Sequence, residues 1–210
     1  MLSTEEIDSL IHGIDTTDHV LLFYDTQETK RRILFRYLAD GLKQGKGIVY
    51  IHTEETPRDI REGLARHGID VEPNLASGNI LTPRYDEFYI VDGKAEALRI
   101  LNKWHETNSR FKSKGLGLRA TGEMSCFFRE GKVRDLLRYE YALHKVLFMP
   151  MDAICAYNLK TIVETGYTDV IMPLVRAHGK AVFTAEGGTM VLEPENVEDT
   201  DIEKLLEIKI

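Results

Sequence analysis

A basic surplus is the first thing this 210-residue chain lacks: 27 lysines and arginines stand against 34 aspartates and glutamates, a formal net charge of -7 at pH 7. A general nucleic-acid binder needs a basic face to neutralise phosphates, so no direct nucleic-acid partner is expected. No apolar stretch approaches the roughly 18 residues needed to cross a bilayer, and no membrane partner is expected either. Met1 to Gly13 carries Glu5, Glu6 and Asp8 with no basic start, unlike a secretory leader. The expected location is therefore the cytoplasm, where thiols stay reduced. Cysteine is scarce: Cys126 and Cys155 form neither a CxxC pair nor a zinc spacing. They read as two small buried residues or as a redox pair that only folding would join. The seven histidines contain no HxH or HxxxH pair, so no metal is expected.

What the chain does have is an alternation of strand-like and helical patterns with short connections, the pattern of an α/β domain with a mainly parallel sheet. Buried strands are expected at His19 to Tyr24 (HVLLFY), Gly47 to His52 (GIVYIH), Gly115 to Thr121 (GLGLRAT) and Met151 to Tyr157 (MDAICAY), with a short one at Ala181 to Thr184. Gly78 to Thr82 and Glu87 to Val91 are shorter strand candidates, or one strand and an extended loop. Apolar residues at helical spacing predict helices over Glu28 to Gln44, from Thr56-Pro57 to His67-Gly68, over Lys94 to Phe111, over Val133 to Val146, and over Thr168 to Ala177, interrupted or kinked at Pro173. Thr4 to Ile11 predicts an N-terminal helix inside residues 1–16, followed by a core over 17–188. Residues 189–210 form an acidic extension in which Ile202, Leu205, Leu206 and Ile208 give an amphipathic helix. With no repeat and no low-complexity linker, one domain over 1–210 is expected, and the apolar stripe to Ile210 suits a homodimer.

In open α/β sheets ligands sit beyond the carboxyl ends of the strands. Phosphate binders make the first strand-to-helix turn glycine-rich, so that bare backbone N–H groups wrap the anion. Here that turn is Tyr24-Asp25-Thr26-Gln27-Glu28-Thr29-Lys30, with no glycine and two carboxylates. Lys30 alone cannot replace an amide nest, so a working phosphate loop, a nucleotide cofactor and catalytic residues are not expected.

The segment Ile33 to Glu55 (ILFRYLADGLKQGKGIVYIHTEET) resembles KaiC/RecA-like ATPases, in which the second strand ends in paired acids, as at Glu54 and Glu55. A Walker B acid is missing from the end of the expected strand at Arg119-Ala120-Thr121, with Glu123 two residues further on. An ordered series carries a second resemblance. It runs through HVLLFY, the DGLKQGKG turn at Asp40 to Gly47, Phe88-Tyr89 with Asp92-Gly93, LRATGEMS at Leu118 to Ser125, Tyr139-Glu140 and Cys155-Ala156-Tyr157. This series, from about Thr17 to Gly188, resembles the MEDS domain, the sensory domain of methanogens, methylotrophs and DcmR-type regulators. The resemblance implies a KaiC/RecA-like three-layer sandwich, a mainly parallel central sheet flanked by helices on both faces. It also implies a sensor of small organic compounds that does not hydrolyse nucleotide; relatives are often fused to DNA-binding or kinase modules. The chain departs from the pattern after GEMS, where Cys126 stands in place of an aromatic residue.

The expected ligand-binding rim comprises His19, Tyr24, Asp25, Glu54, Glu55, Arg119, Glu123, Met124, Cys126, Tyr157 and Asn158. Each has a plainer structural role beside the functional one. His19 is a hydrogen-bonding or titrating group or a strand-edge histidine. Glu54 and Glu55 are an acid–base pair or a helix start. Arg119 clamps an anion or pairs internally with Glu123. Met124 and Cys126, with Phe127 and Phe128, form an apolar wall or simple core. The function expected is a stand-alone sensory or regulatory domain that binds a small organic ligand, methylated or halogenated, and signals through a regulatory protein partner. Two alternatives remain open at this point: an ATPase with an atypical phosphate loop, and an interaction protein whose pocket is filled by side chains such as Tyr24, Phe127 and Phe128.

Overall fold

The computed structural model describes residues 5, 9, 11, 13–14, 19–145, 149–185 and 188–192. Strand β1 (His19–Tyr24) leads into helix α1 (Gln27–Lys43), then β2 (Lys46–Ile51), α2 (Pro57–Arg66), α3 (Val71–Ala76), β3 (Ile80–Leu81) and α4 (Tyr85–Phe88). Helix α5 (Ala97–Lys112), β4 (Gly117–Glu123), α6 (Ser125–Arg129), α7 (Val133–Lys145) and β5 (Asp152–Asn158) follow. The described chain closes with α8 (Leu159–Glu164), a 3₁₀ turn at Thr168–Val170, α9 (Ile171–Arg176), β6 (Lys180–Ala185) and β7 (Gly188–Leu192). The strands form one seven-stranded sheet in the order β3-β2-β4-β5-β1-β6-β7, parallel except for the antiparallel β6–β7 edge.

The fold is a three-layer α/β sandwich with a largely apolar core on each face of the sheet. Side chains alternate along β1, because successive Cβ atoms of a strand point to opposite faces. Leu21 and Phe23 join the core that contains α5, α6, α7 and the segment around α9, whereas Val20, Leu22 and Tyr24 join the core against α1, α2 and α3. Thr26 caps α1, accepting the Thr29 amide at 3.2 Å. Thr56 caps α2 in a reciprocal box with Asp59, and Pro57 opens the helix.

Several boundaries differ from the sequence reading. The stretch read as a strand over Glu87 to Val91 instead begins inside a single helical turn, Tyr85–Phe88. Its entry is fixed by Glu87, which accepts the Arg84 amide at 2.9 Å, and its exit by Arg99, which donates to the carbonyls of Phe88 and Tyr89. Strand β4 does not stop at Thr121 but continues through Gly122 to Glu123. Gly122 is needed there: a Cβ on it would come within 1.9 Å of the Tyr89 hydroxyl. Pro173 stands within α9, and the expected long helix is split into the 3₁₀ turn and α9. Helices α3, α6 and α8 and edge strand β7 were not anticipated. At the N-terminus Glu5, Ser9 and Ile11 are helical, whereas the expected C-terminal helix with Ile202 to Ile210 lies outside the described residues. Among the described residues no helix is long and apolar enough to cross a membrane.

Candidate functional site

Beyond the carboxyl ends of β1, β2, β4 and β5, three acids and three cations meet. The connection from β1 to α1 is Asp25 and Thr26 alone. A two-residue turn leaves no loop to wrap an anion, and its own side chains take up the helix start: Thr29 donates its hydroxyl to Asp25 at 3.1 Å. Lys30, one turn into α1, points inward and is fully buried. Its ammonium pairs with Glu123, with Glu55 at 3.0 Å and with Glu54 at 3.7 Å.

Glu123, also fully buried, is the hub. Besides Lys30 it accepts the Tyr50 hydroxyl at 2.8 Å, the Thr53 amide at 2.6 Å, the Glu54 amide, and the Glu55 amide at 3.2 Å. Three successive backbone amides after β2 thus converge on one point, and a carboxylate of the chain itself occupies it. Glu55 is held in a two-point fork by Arg31, at 2.9 and 2.8 Å. Glu54 accepts from Tyr24 at 2.7 Å, from Gln27, from Ser125 at 2.6 Å and from Asn158 at 3.2 Å, with Arg129 at 3.4 Å. Burial by itself would raise the Glu54 carboxyl. The bonds from Ser125, Tyr24 and Gln27 and the Lys30 charge outweigh burial and hold it below the usual range. Tyr24 moves the other way, raised by burial and then by the charges of Glu54 and Glu123. Chemically this is a closed, charge-matched network whose acids are already engaged.

Next to it an open cleft of about 560 Å³ is lined by Gln27, Glu28, Arg31, Arg32, Phe35, Gly63, Arg66 and His67. Gln27 and Arg31 therefore have one side on the cleft and the other on Glu54 and Glu55.

Of the residues expected at the rim, Tyr24, Glu54, Glu55, Glu123 and Asn158 come together here, with Asp25 in the adjoining turn. Arg119 does not. It lies four residues before Glu123 on β4, roughly 13 Å away at ~3.3 Å per residue. No ion pair joins the two. Arg119 instead donates to Asp152 at 3.0 Å, Asp40 at 3.0 Å and the Tyr37 carbonyl at 3.1 Å, and stacks over the Tyr37 ring, at the amino ends of β4 and β5. Met124 and Cys126 are buried in the core of the opposite face. Burial pushes the Cys126 thiol up to about 12. Cys126 and Cys155 are both free thiols, not a disulfide.

His19 and Tyr157 also leave the rim, for a second buried polar cluster on that opposite face. Tyr157 donates its hydroxyl to Glu140 of α7. The other oxygen of Glu140 lies 3.1 Å from His19 Nε2, 3.5 Å from His178 Nε2 and 3.7 Å from Cys155 Sγ. Burial and the Glu140 charge raise the Cys155 thiol well above its ordinary value. Lys30, Arg31, Gln27, Tyr50, Ser125, Arg129, Glu140 and His178 are among the participants that the sequence reading did not assign to the rim. Lys30 stands one helical turn after the strand, which was the available signal. His178 has no local pattern at all.

A family model described as MEDS, the methanogen/methylotroph, DcmR sensory domain, matches residues 18–178. No curated protein matches. Among solved structures, the chain is similar to a KaiC-like protein of the hyperthermophilic archaeon Pyrococcus horikoshii, with a TM-score of 0.58 and 17% identity over 87% of this chain and 81% of that one. It is also similar to the flagellar accessory protein FlaH of Methanocaldococcus jannaschii, with a TM-score of 0.62 and 17% identity over 92% and 86%. A third, an uncharacterized P. horikoshii protein in complex with an unknown peptide, gives a TM-score of 0.62 and 16% identity over 91% and 89%. At these identities the likeness is one of fold.

Proposed function

This chain belongs to the MEDS family of sensory domains, and on that premise we propose that it binds a small organic molecule at the cleft beside Gln27 and Arg31 and passes the event to a protein partner, without turning over nucleotide. One observation carries the reading: the lysine that would serve a phosphate is neutralised inside the protein by Glu123 and Glu55. The rim is filled by the chain's own side chains, so the open space is the neighbouring cleft, whose size is in the range of small-molecule sites. Phe35 offers an apolar wall, and Arg32 and Arg66 offer a place for a polar or anionic end. A ligand that draws Gln27 or Arg31 outward loosens Glu54 or Glu55. Those acids tie α1 to the segments after β2, β4 and β5, and the disturbance reaches all three.

A second reading, a filled and purely interacting domain, is favoured by the complete burial of Tyr24, Glu123 and Tyr157. A thermal-shift panel of small methylated, halogenated and thiol compounds, with ATP and Mg²⁺ alongside, separates the two. A ligand confined to the folded state raises the melting temperature. The sensory reading expects stabilisation by an organic compound, lost in Arg31→Ala, and none by ATP. Stabilisation by ATP with measurable phosphate release would overturn it, and a panel with no response would leave the interacting domain.

A further inference from the structure

The second cluster carries an inference that does not depend on the sensory reading. His19 from β1, Glu140 from α7, Cys155 from β5 and His178 after α9 are all buried, and their ligand-type atoms lie within 4.8 Å of one another. Glu140 Oε1 accepts the Tyr157 hydroxyl, which leaves Oε2 as the atom shared with the other three. His178 Nδ1 is 2.7 Å from the Leu174 carbonyl. A carbonyl only accepts, so the proton sits on Nδ1, and a neutral ring then turns the Nε2 lone pair toward Oε2. A neutral His178 would thus present a donor atom 3.5 Å from Oε2, where a metal ion can accept both.

The distances suit a metal ion. With zinc bonds of ~2.0 Å to nitrogen or oxygen and ~2.3 Å to sulfur, the edges of a tetrahedron are roughly 3.3–3.6 Å. Four of the six edges measure 3.1 Å (His19 to Glu140), 3.0 Å (His19 to Cys155), 3.5 Å (His178 to Glu140) and 3.7 Å (Cys155 to Glu140), and the two from His178 to His19 and Cys155 are within 4.8 Å. Outer partners are in place too: the Leu174 carbonyl orients His178 and the Tyr157 hydroxyl orients Glu140, as around metal-bound histidines and carboxylates. Sulfur and imidazole donors disfavour Mg²⁺ and Ca²⁺, which take oxygen.

We propose that His19, Glu140, Cys155 and His178 form a closed tetrahedral site for a zinc-class divalent cation, joining β1, β5, α7 and the segment after α9. With four protein ligands the ion is structural, and its binding adds to folding stability.

Purified chain is assayed for bound metal, stripped with a chelator and titrated with Zn²⁺ and Co²⁺, both folded and during refolding because the site is buried. One equivalent is expected, with a higher melting temperature. Bound Co²⁺ should show the strong visible bands of four-coordination and a near-ultraviolet thiolate band. Cys155→Ser should abolish the thiolate band and weaken binding at least ~10-fold, whereas Cys126→Ser should change neither. His19→Gln is the milder second variant: the thiolate band stays, while the visible bands shift and affinity falls. Absence of bound metal in every preparation would overturn the proposal. So would a Co²⁺ complex without a thiolate band, or one that Cys155→Ser leaves intact.

Discussion

The two faces of one sheet bury polar groups in opposite ways. On the face of α1, three acids meet Lys30, Arg31 and Arg129, and three backbone amides complete the shell of Glu123. On the face of α7, one acid meets two imidazoles and a thiol. A buried charge is tolerated only when paired and hydrogen-bonded. The first cluster contains its own counter-charges, so it is closed by the chain's own side chains. The second sets one acid among two imidazoles and a thiol, the donor set for which a metal ion is proposed above. The same β1 serves both, with Tyr24 in one and His19 in the other, because a strand presents alternate residues to alternate faces.

The largest break in this contrast is expected from Glu123→Ala. It leaves the Lys30 ammonium to Glu55 and Glu54 alone, strands the Tyr50 hydroxyl and the amides of Thr53, Glu54 and Glu55, and should cost about 3–5 kcal/mol in denaturant unfolding. A Lys30→Met partner mutation should recover part of the loss, and failure to do so would mean that the two side chains are not energetically coupled. Glu140→Gln on the other face, in metal-free protein, should cost less, about 1.5–3 kcal/mol, because glutamine still accepts from Tyr157 while the charge-assisted part of that bond goes. If Glu140→Gln proved the costlier, the second cluster would be the tighter of the two. Thr26→Ala should cost about 1 kcal/mol through the lost cap of α1.

Solution pH probes the α1 face from both sides. Glu54 is lowered in the folded state, so its contribution is full above the unfolded carboxylate value and declines as pH falls through the folded one. Tyr24 and Tyr50 are raised, by burial first, so their contribution is full below the unfolded phenol value of ~10 and is lost as pH climbs beyond it. Stability measured against pH should therefore fall at both extremes. Glu54→Gln should flatten the acid limb, and an unchanged acid limb would remove Glu54 from the account.

The strands were legible because buried parallel strands are short apolar runs, as in HVLLFY and GIVYIH. Edge strand β7 was not, because Met190, Val191 and Leu192 stay exposed and their stretch adjoins an acidic tail in the sequence. The end of β4 was misplaced because Gly122 reads as punctuation, whereas it is a strand residue that makes room for Tyr89. In the site, the acids were visible at the strand ends. What could not be read was direction. Lys30 carries no mark in the sequence that it turns inward to Glu123, and Arg119 none that it turns toward Asp152. The His19 and His178 cluster draws on four separate elements, and no local spacing encodes it.

The engagement of Lys30 by the chain's own acids has a consequence for redesign. Tyr24 to Lys30 already has the spacing of a glycine-rich phosphate loop, first position to lysine, yet glycines placed there would leave Lys30 paired with Glu123 and Glu55. An engineer seeking nucleotide binding must therefore free the lysine in the same step that opens the turn. Removing Glu123 alone strands the amides of Thr53, Glu54 and Glu55, so the route across passes through a less stable protein.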